Sequence, residues 1–97
     1  MNNAEIASFV LASCPALAKY QAYMFGSSLR GVGEDIDILF VGPAGEALVN
    51  LKKEVSQAGN ELPLHVLYML PSEADETGFV TSERCISLLE LASRSET

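Results

Sequence analysis

The sequence predicts a small α+β domain: a mixed sheet of three or more strands covered by helices. Two patterns point to it. Apolar residues recur at three-and-four spacing near residues 3–13 and 44–58, the periodicity of helices with one buried face. Between and after them, apolar runs at residues 20–25, 36–41 and 62–70 are each closed by Gly or Pro, as strands are. A chain of 97 residues that is 48% hydrophobic has enough apolar material for one core, so residues 1–97 are expected to form a single domain.

Each element has its own local reason. Ile6, Phe9 and Val10 share one face of the first helix, and Asn2 or Asn3 can cap it. Pro15 cannot continue that helix, but Ser13 can cap a further short turn over residues 15–19. The strand at 20–25 is rich in aromatics and ends at Gly26-Ser27-Ser28, and the strand at 36–41 ends at Gly42-Pro43. The linking stretch, residues 29–34, holds Gly31 and Gly33, which suits a loop exposing backbone amides. Ala44, Ala47, Leu48, Leu51, Val55 and Ala58 form the stripe of the second long helix, stopped by Gly59-Asn60. Residues 62–70 are apolar except for His65, which predicts a strand covered on both faces and closed by Pro71. A loop with Glu73, Asp75, Glu76 and Gly78 is expected next, then a last helix starting at Thr81 or Ser82 and carrying Ile86, Leu88, Leu89 and Leu91.

Composition narrows the function classes. The net charge is −7, and the six basic residues, Lys19, Arg30, Lys52, Lys53, Arg84 and Arg94, are scattered. That is the opposite of a basic footprint, so direct nucleic-acid binding is not expected. No apolar run reaches the roughly 18–20 residues of a membrane span, and no basic residue precedes Lys19 as a secretory signal would require. The expected location is the cytoplasm, with no membrane contact. Cys14 and Cys85 lack the spacing of a disulfide framework or a zinc site and are expected to be plain buried or half-buried thiols.

The chemistry concentrates in residues 25–41, Phe-Gly-Ser-Ser-Leu-Arg-Gly-Val-Gly-Glu-Asp-Ile-Asp-Ile-Leu-Phe-Val. Residues two apart on a strand share a face, so Asp35 and Asp37 are expected to converge while Ile36 and Ile38 enter the core. Paired carboxylates repel in water and become favourable around a hard divalent cation such as Mg²⁺, which binds through one or two carboxylates plus substrate phosphates. Gly26 permits close approach of backbone to phosphate, and the Ser27 and Ser28 amides and hydroxyls can donate to phosphate oxygens. Arg30 is the nearby cation whose forked donors suit a terminal phosphate.

Phe-Gly-Ser-Ser-Leu-Arg-Gly followed by Asp-Ile-Asp-Ile-Leu-Phe-Val resembles the signature of the polymerase-beta-like nucleotidyltransferases, specifically their minimal bacterial and archaeal members. The resemblance covers about residues 16–70 and implies that family's fold. It implies a Gly-Ser turn holding a nucleoside triphosphate, an Asp-x-Asp pair binding Mg²⁺ (or Mn²⁺), and transfer of a nucleoside monophosphate to a hydroxyl with release of pyrophosphate. It also implies a partner, because many minimal members accompany small helical HEPN-type proteins and act as antitoxins.

The pattern departs from the family at two points. Only seven residues separate Ser27 from Asp35, a short phosphate loop. The third carboxylate that the resemblance leads one to expect on the strand at 62–70 is absent, and His65 stands in the equivalent position. An imidazole accepts protons but is a poor Mg²⁺ ligand. His65 therefore reads as a substitute base, as a ligand for a softer metal, as a sign of lost catalysis, or as an ordinary strand histidine; Glu73, Asp75 and Glu76 are candidates to supply the acid instead. Two functions stay open: an active transferase whose acceptor hydroxyl is on a partner protein, or an incomplete module serving as nucleotide sensor, regulatory subunit or scaffold. Phe79 and Val80 beside the last helix suggest surface that a homodimer would cover.

Overall fold

The structure, a computed structural model, describes residues 2–30 and 35–94. Helix α1 (Asn3–Ser13) begins with a reciprocal cap: the Asn2 side chain accepts from the Glu5 amide at 2.8 Å, and the Glu5 carboxylate accepts from the Asn2 amide at 3.0 Å. Ala4, Ile6, Ala7 and Val10 face inward. The following 3₁₀ turn, Pro15–Lys19, has Cys14 at its cap position, not Ser13, and buries Leu17.

Strand β1 (Gln21–Phe25) runs into a 3₁₀ helix, Gly26–Arg30. The glycines at 31 and 33 lie outside the described residues. Strand β2 (Ile36–Val41) pairs antiparallel with β1. Helix α2 (Gly45–Ala58) then crosses over to strand β3 (Leu64–Met69), which pairs parallel with β2. In α2 only Leu51, Val55 and Ala58 of the expected stripe are buried; Ala44 is the cap residue and Ala47 is exposed, because only the later turns lie over the sheet.

Three expectations fail after β3. The acidic stretch is helix α3 (Pro71–Thr77), not a loop: Pro71 takes the first helical position, the Glu73 carboxylate accepts from the Leu70 amide at 2.8 Å, and Gly78 ends the helix with φ +60. The single last helix is instead α4 (Phe79–Ser82), a two-residue strand β4 (Ile86–Ser87) beside β1, and α5 (Leu88–Ser93) capped by Ser87. Finally, β3 is an edge strand, since the sheet order is β3-β2-β1-β4, so its apolar residues are half-buried and not covered on both faces.

Alternation along the strands sorts the side chains into two cores. Met24, Ile36, Ile38 and Phe40 meet α1, α2 and α5 through Val10, Leu51, Leu88 and Leu91. On the other face Phe25, Leu39 and Val41 meet Phe79 and Val80 of α4. Phe79 stands edge-on to Phe25 with ring centroids 5.1 Å apart. Phe79 and Val80 thus pack against the sheet within the chain and remain half-buried.

Both cysteines are free thiols, Cys14 buried and Cys85 half-buried. Burial pushes the Cys14 thiol up from 9.0 to about 11, and the Glu54 carboxylate adds to the effect. The thiolate is disfavoured only in the fold, so the associated stability is fully present below pH 9 and is lost as pH rises toward 11. Urea unfolding between those limits should lose up to about 3 kcal/mol, and Cys14→Ala should flatten that slope.

Candidate functional site

Because Ile36, Ile38 and Phe40 occupy the larger core, strand parity sends Asp37 to the opposite face, in line with Leu39 and Val41. Helices α3 and α4 pack against the apolar part of that face and leave Asp37 accessible, its side chain 22% exposed. In the parallel register Asp37 lies opposite His65, and the two side chains meet, with His65 Nδ1 3.0 Å from Asp37 Oδ1. A carboxylate oxygen accepts, so Nδ1 is the donor in this contact and Nε2 is the nitrogen not engaged by it. The imidazole is 64% exposed on the strand face and bonded to Asp37, an arrangement that an ordinary strand histidine would also have.

The second wall of the site is the turn after β1. Phe25 pairs with Asp37 across the antiparallel ladder, so Gly26 sits directly beside the carboxylate. Gly26 has φ +73, and a Cβ there would come within 2.6 Å of Asp37 Oδ2. Two constraints thus demand glycine: the left-handed backbone and the close approach. Asp37 is bracketed, with Oδ2 against Gly26 and Oδ1 against His65.

Ser28 has a different part from the one expected of it. Its hydroxyl is buried, donates to the Phe25 carbonyl at 2.7 Å and accepts from the Asp37 amide at 3.3 Å. It is a strut between the turn and β2, already committed on both sides and not free to donate to a phosphate. The available clue was its position three residues after Phe25, the spacing at which serine hydroxyls commonly bond backbone carbonyls. Ser27 is half-buried, and Arg30 is exposed at the end of the 3₁₀ helix.

Asp35 is exposed and precedes β2, which begins at Ile36, where the amide donates to the Pro63 carbonyl at 2.9 Å. The alternation rule therefore does not carry Asp35 onto the Asp37 face by itself. Nor do the loop acids complete a cluster. Glu73 caps α3, and Asp75 lines a cavity of about 310 Å³ with Gln21, Tyr23 and Val41, toward the far end of the strands from Asp37. Among the described residues no three His, Cys, Asp or Glu side chains gather to hold a metal ion unaided. What the corner offers is one half-buried carboxylate with Asp35 two residues before it, open to solvent. That donor set fits a hard divalent cation only when substrate oxygens fill the remaining positions.

The arrangement has a glycine turn packed against a bracketed carboxylate and, beside it, an exposed imidazole. A family model described as "Nucleotidyltransferase domain" matches residues 6–92. No match was found among curated proteins or among solved structures.

Proposed function

Because the chain belongs to the nucleotidyltransferase domain family, we propose that it binds a nucleoside triphosphate at the Gly26–Asp37 corner and transfers a nucleoside monophosphate to a hydroxyl. The observation that carries this reading is the bracketing of Asp37 by Gly26 on one side and His65 on the other. The phosphates lie along the Gly26-Ser27 turn, where the absence of a Cβ allows close approach and the Ser27 amide and hydroxyl can donate. Arg30, exposed at the end of that turn, reaches the terminal phosphate. Asp35 and Asp37 hold Mg²⁺ or Mn²⁺ together with phosphate oxygens, and the cation, when bound, neutralises charge developing on the transferring group.

His65 takes the part of general base. The Asp37 carboxylate fixes its Nδ1–H tautomer and ring plane, so Nε2 is presented to take the proton of an attacking hydroxyl. With a net charge of −7, the acceptor is not a nucleic acid but a hydroxyl carried by a partner protein in the cytoplasm, such as the helical HEPN-type partner that the sequence resemblance implies. The test is incubation with each α-labelled triphosphate and Mg²⁺ or Mn²⁺, with and without such a partner. Metal-dependent label on the partner, lost in the Asp35→Ala, Asp37→Ala double variant, is the expected result.

One feature supports a second reading. The strand β3 carries no carboxylate, and His65 is already paired with Asp37, as suits a module that binds nucleotide without turnover and acts as sensor, regulatory subunit or scaffold. Triphosphate binding without transfer under every condition would favour that module.

A further inference from the structure

Strand β3 ends the sheet on one side, and its outer backbone forms a short, symmetric window of hydrogen-bonding groups. The Ile36 amide donates to the Pro63 carbonyl and the Gly42 amide to the Met69 carbonyl, so residues 63, 65, 67 and 69 turn their backbone groups toward β2. The alternate residues, Val66 and Tyr68 among them, turn theirs away. Among the described residues no other strand takes up these outward groups. Both ends of the window are closed within the chain. The Leu64 amide donates to the Leu62 carbonyl at 2.9 Å, the Leu70 amide donates to the Glu73 carboxylate at 2.8 Å, and the Leu70 carbonyl accepts from the Ala74 amide at 3.0 Å. Apart from the Leu64 carbonyl at the margin, what stays open is the N–H and C=O of Val66 and of Tyr68, placed symmetrically about Leu67.

From this window we propose that two copies of the chain pair antiparallel through β3, around a two-fold axis at Leu67, and join their four-stranded sheets into one. The proposal goes beyond the nucleotide-site reading and stands without it. In this register the Val66 amide donates to the Tyr68 carbonyl of the second copy, the Val66 carbonyl accepts from that copy's Tyr68 amide, and the two-fold repeats both bonds. Leu67 stands opposite itself as a non-hydrogen-bonded pair, because its own backbone groups are turned to β2.

The occupant is a second copy for reasons of symmetry and charge. The open groups complement themselves under a two-fold, as an isologous interface requires. Residues 64–69 contain no Lys, Arg, Asp or Glu, so a chain of net charge −7 meets its copy along a stretch that sets no like charges opposite each other. The nearest cation, Lys52, is held over the Tyr68 ring, its ammonium 5.2 Å from the centroid. The devices that commonly block edge-to-edge pairing are missing as well: β3 has no proline or charge between Leu64 and Met69 and runs beside β2 residue for residue without a bulge. Pairing also covers half-buried apolar side chains, Val66 and Tyr68 on the α2 side and Leu67 and Met69 on the other. Six-residue strands make a small interface, under about 1,200 Å², so the dimer forms and dissociates with concentration.

The test is sedimentation equilibrium of the full chain from about 1 µM to 1 mM, with passage from monomer to dimer as the expected result. Val66→Pro removes an outward N–H and leaves the bonds to β2 in place. It should keep the thermal melt and weaken the dimer by at least about tenfold, since the two-fold removes the bond twice. Leu67→Lys sets like charges against each other at the axis and should weaken the dimer to a similar extent, which decides the matter if the proline variant does not fold. The register is read by cross-linking in a Cys85→Ser background, where the remaining native thiol, Cys14, is buried. Leu67→Cys should oxidise to a disulfide-linked dimer, because Cα atoms of a non-hydrogen-bonded pair lie about 4.5 Å apart. Val66→Cys should not, its diagonal separation from its own copy being about 7–8 Å. A chain that stays monomeric throughout, including one whose edge instead takes up an extended segment of another protein, overturns the self-pairing. So does a dimer undiminished in the folded variants, or one whose Leu67→Cys form does not cross-link.

Discussion

Asp37→Asn is expected to lower the proposed nucleotide transfer by about 10³-fold while shifting the unfolding free energy by less than about 1 kcal/mol. The two magnitudes separate because the carboxylate has different work in the two processes. In the resting fold Asp37 makes one exposed pair with His65, and contacts of that kind contribute little to stability. Asparagine keeps an oxygen that can still accept from Nδ1. In the proposed transfer, the full negative charge would be needed to help hold a cation against the triphosphate and to favour the protonated imidazole, and asparagine would supply neither. Label transfer and a thermal melt on the same preparation measure both. A variant that transfers at the parental rate would show that the Gly26–Asp37 corner is not where the chemistry occurs.

Gly26→Ala carries the second large effect and acts through the same carboxylate. The left-handed backbone at φ +73 costs a non-glycine residue about 1 kcal/mol. The added methyl would also stand 2.6 Å from Asp37 Oδ2, so Asp37 has to move, and its contact with His65 moves with it. We expect a loss of about 2 kcal/mol in stability and at least a tenfold loss in triphosphate affinity. Urea unfolding of the single and double variants separates the two causes. In an Asp37→Ala background the collision disappears and only the backbone cost of about 1 kcal/mol remains, giving a coupling of about 1 kcal/mol between the positions. Additive losses would mean that the turn does not press on the carboxylate.

The elements that could be read from the sequence are those whose pattern is local. Residues 36–41 alternate between two apolar faces with Asp37 as the interruption, and α2 repeats its apolar residues every three or four positions; both come out where expected. Helix α3 differs from the loop expected there although its signals are local too, because a proline that can close a strand can equally open a helix, and Pro71 is the first residue of one with Glu73 as its capping acid and Gly78 as its stop. Strand β4 had no such signal. Two residues make a strand only because Tyr23 and Met24 lie alongside to pair with them, and pairing across some sixty intervening residues is not written in Ile86-Ser87.

The site divides along the same line. Asp37 stands out because an aspartate within an apolar run is locally unfavourable and is kept where something else requires it, and Gly26, Ser27 and Asp35 stand out by their spacing from it. The sequence by itself determined the α+β class, the Gly-Ser turn, the aspartate within the strand at 36–41 and the absence of a carboxylate on β3. Only the tertiary structure decided that His65 meets Asp37, that Ser28 is a strut, that Asp35 precedes the strand, and that β3 is an edge. Each of these depends on strand register and sheet order, set by how two cores pack on opposite faces of one sheet, and a slip of a single residue would have turned His65 to the other face.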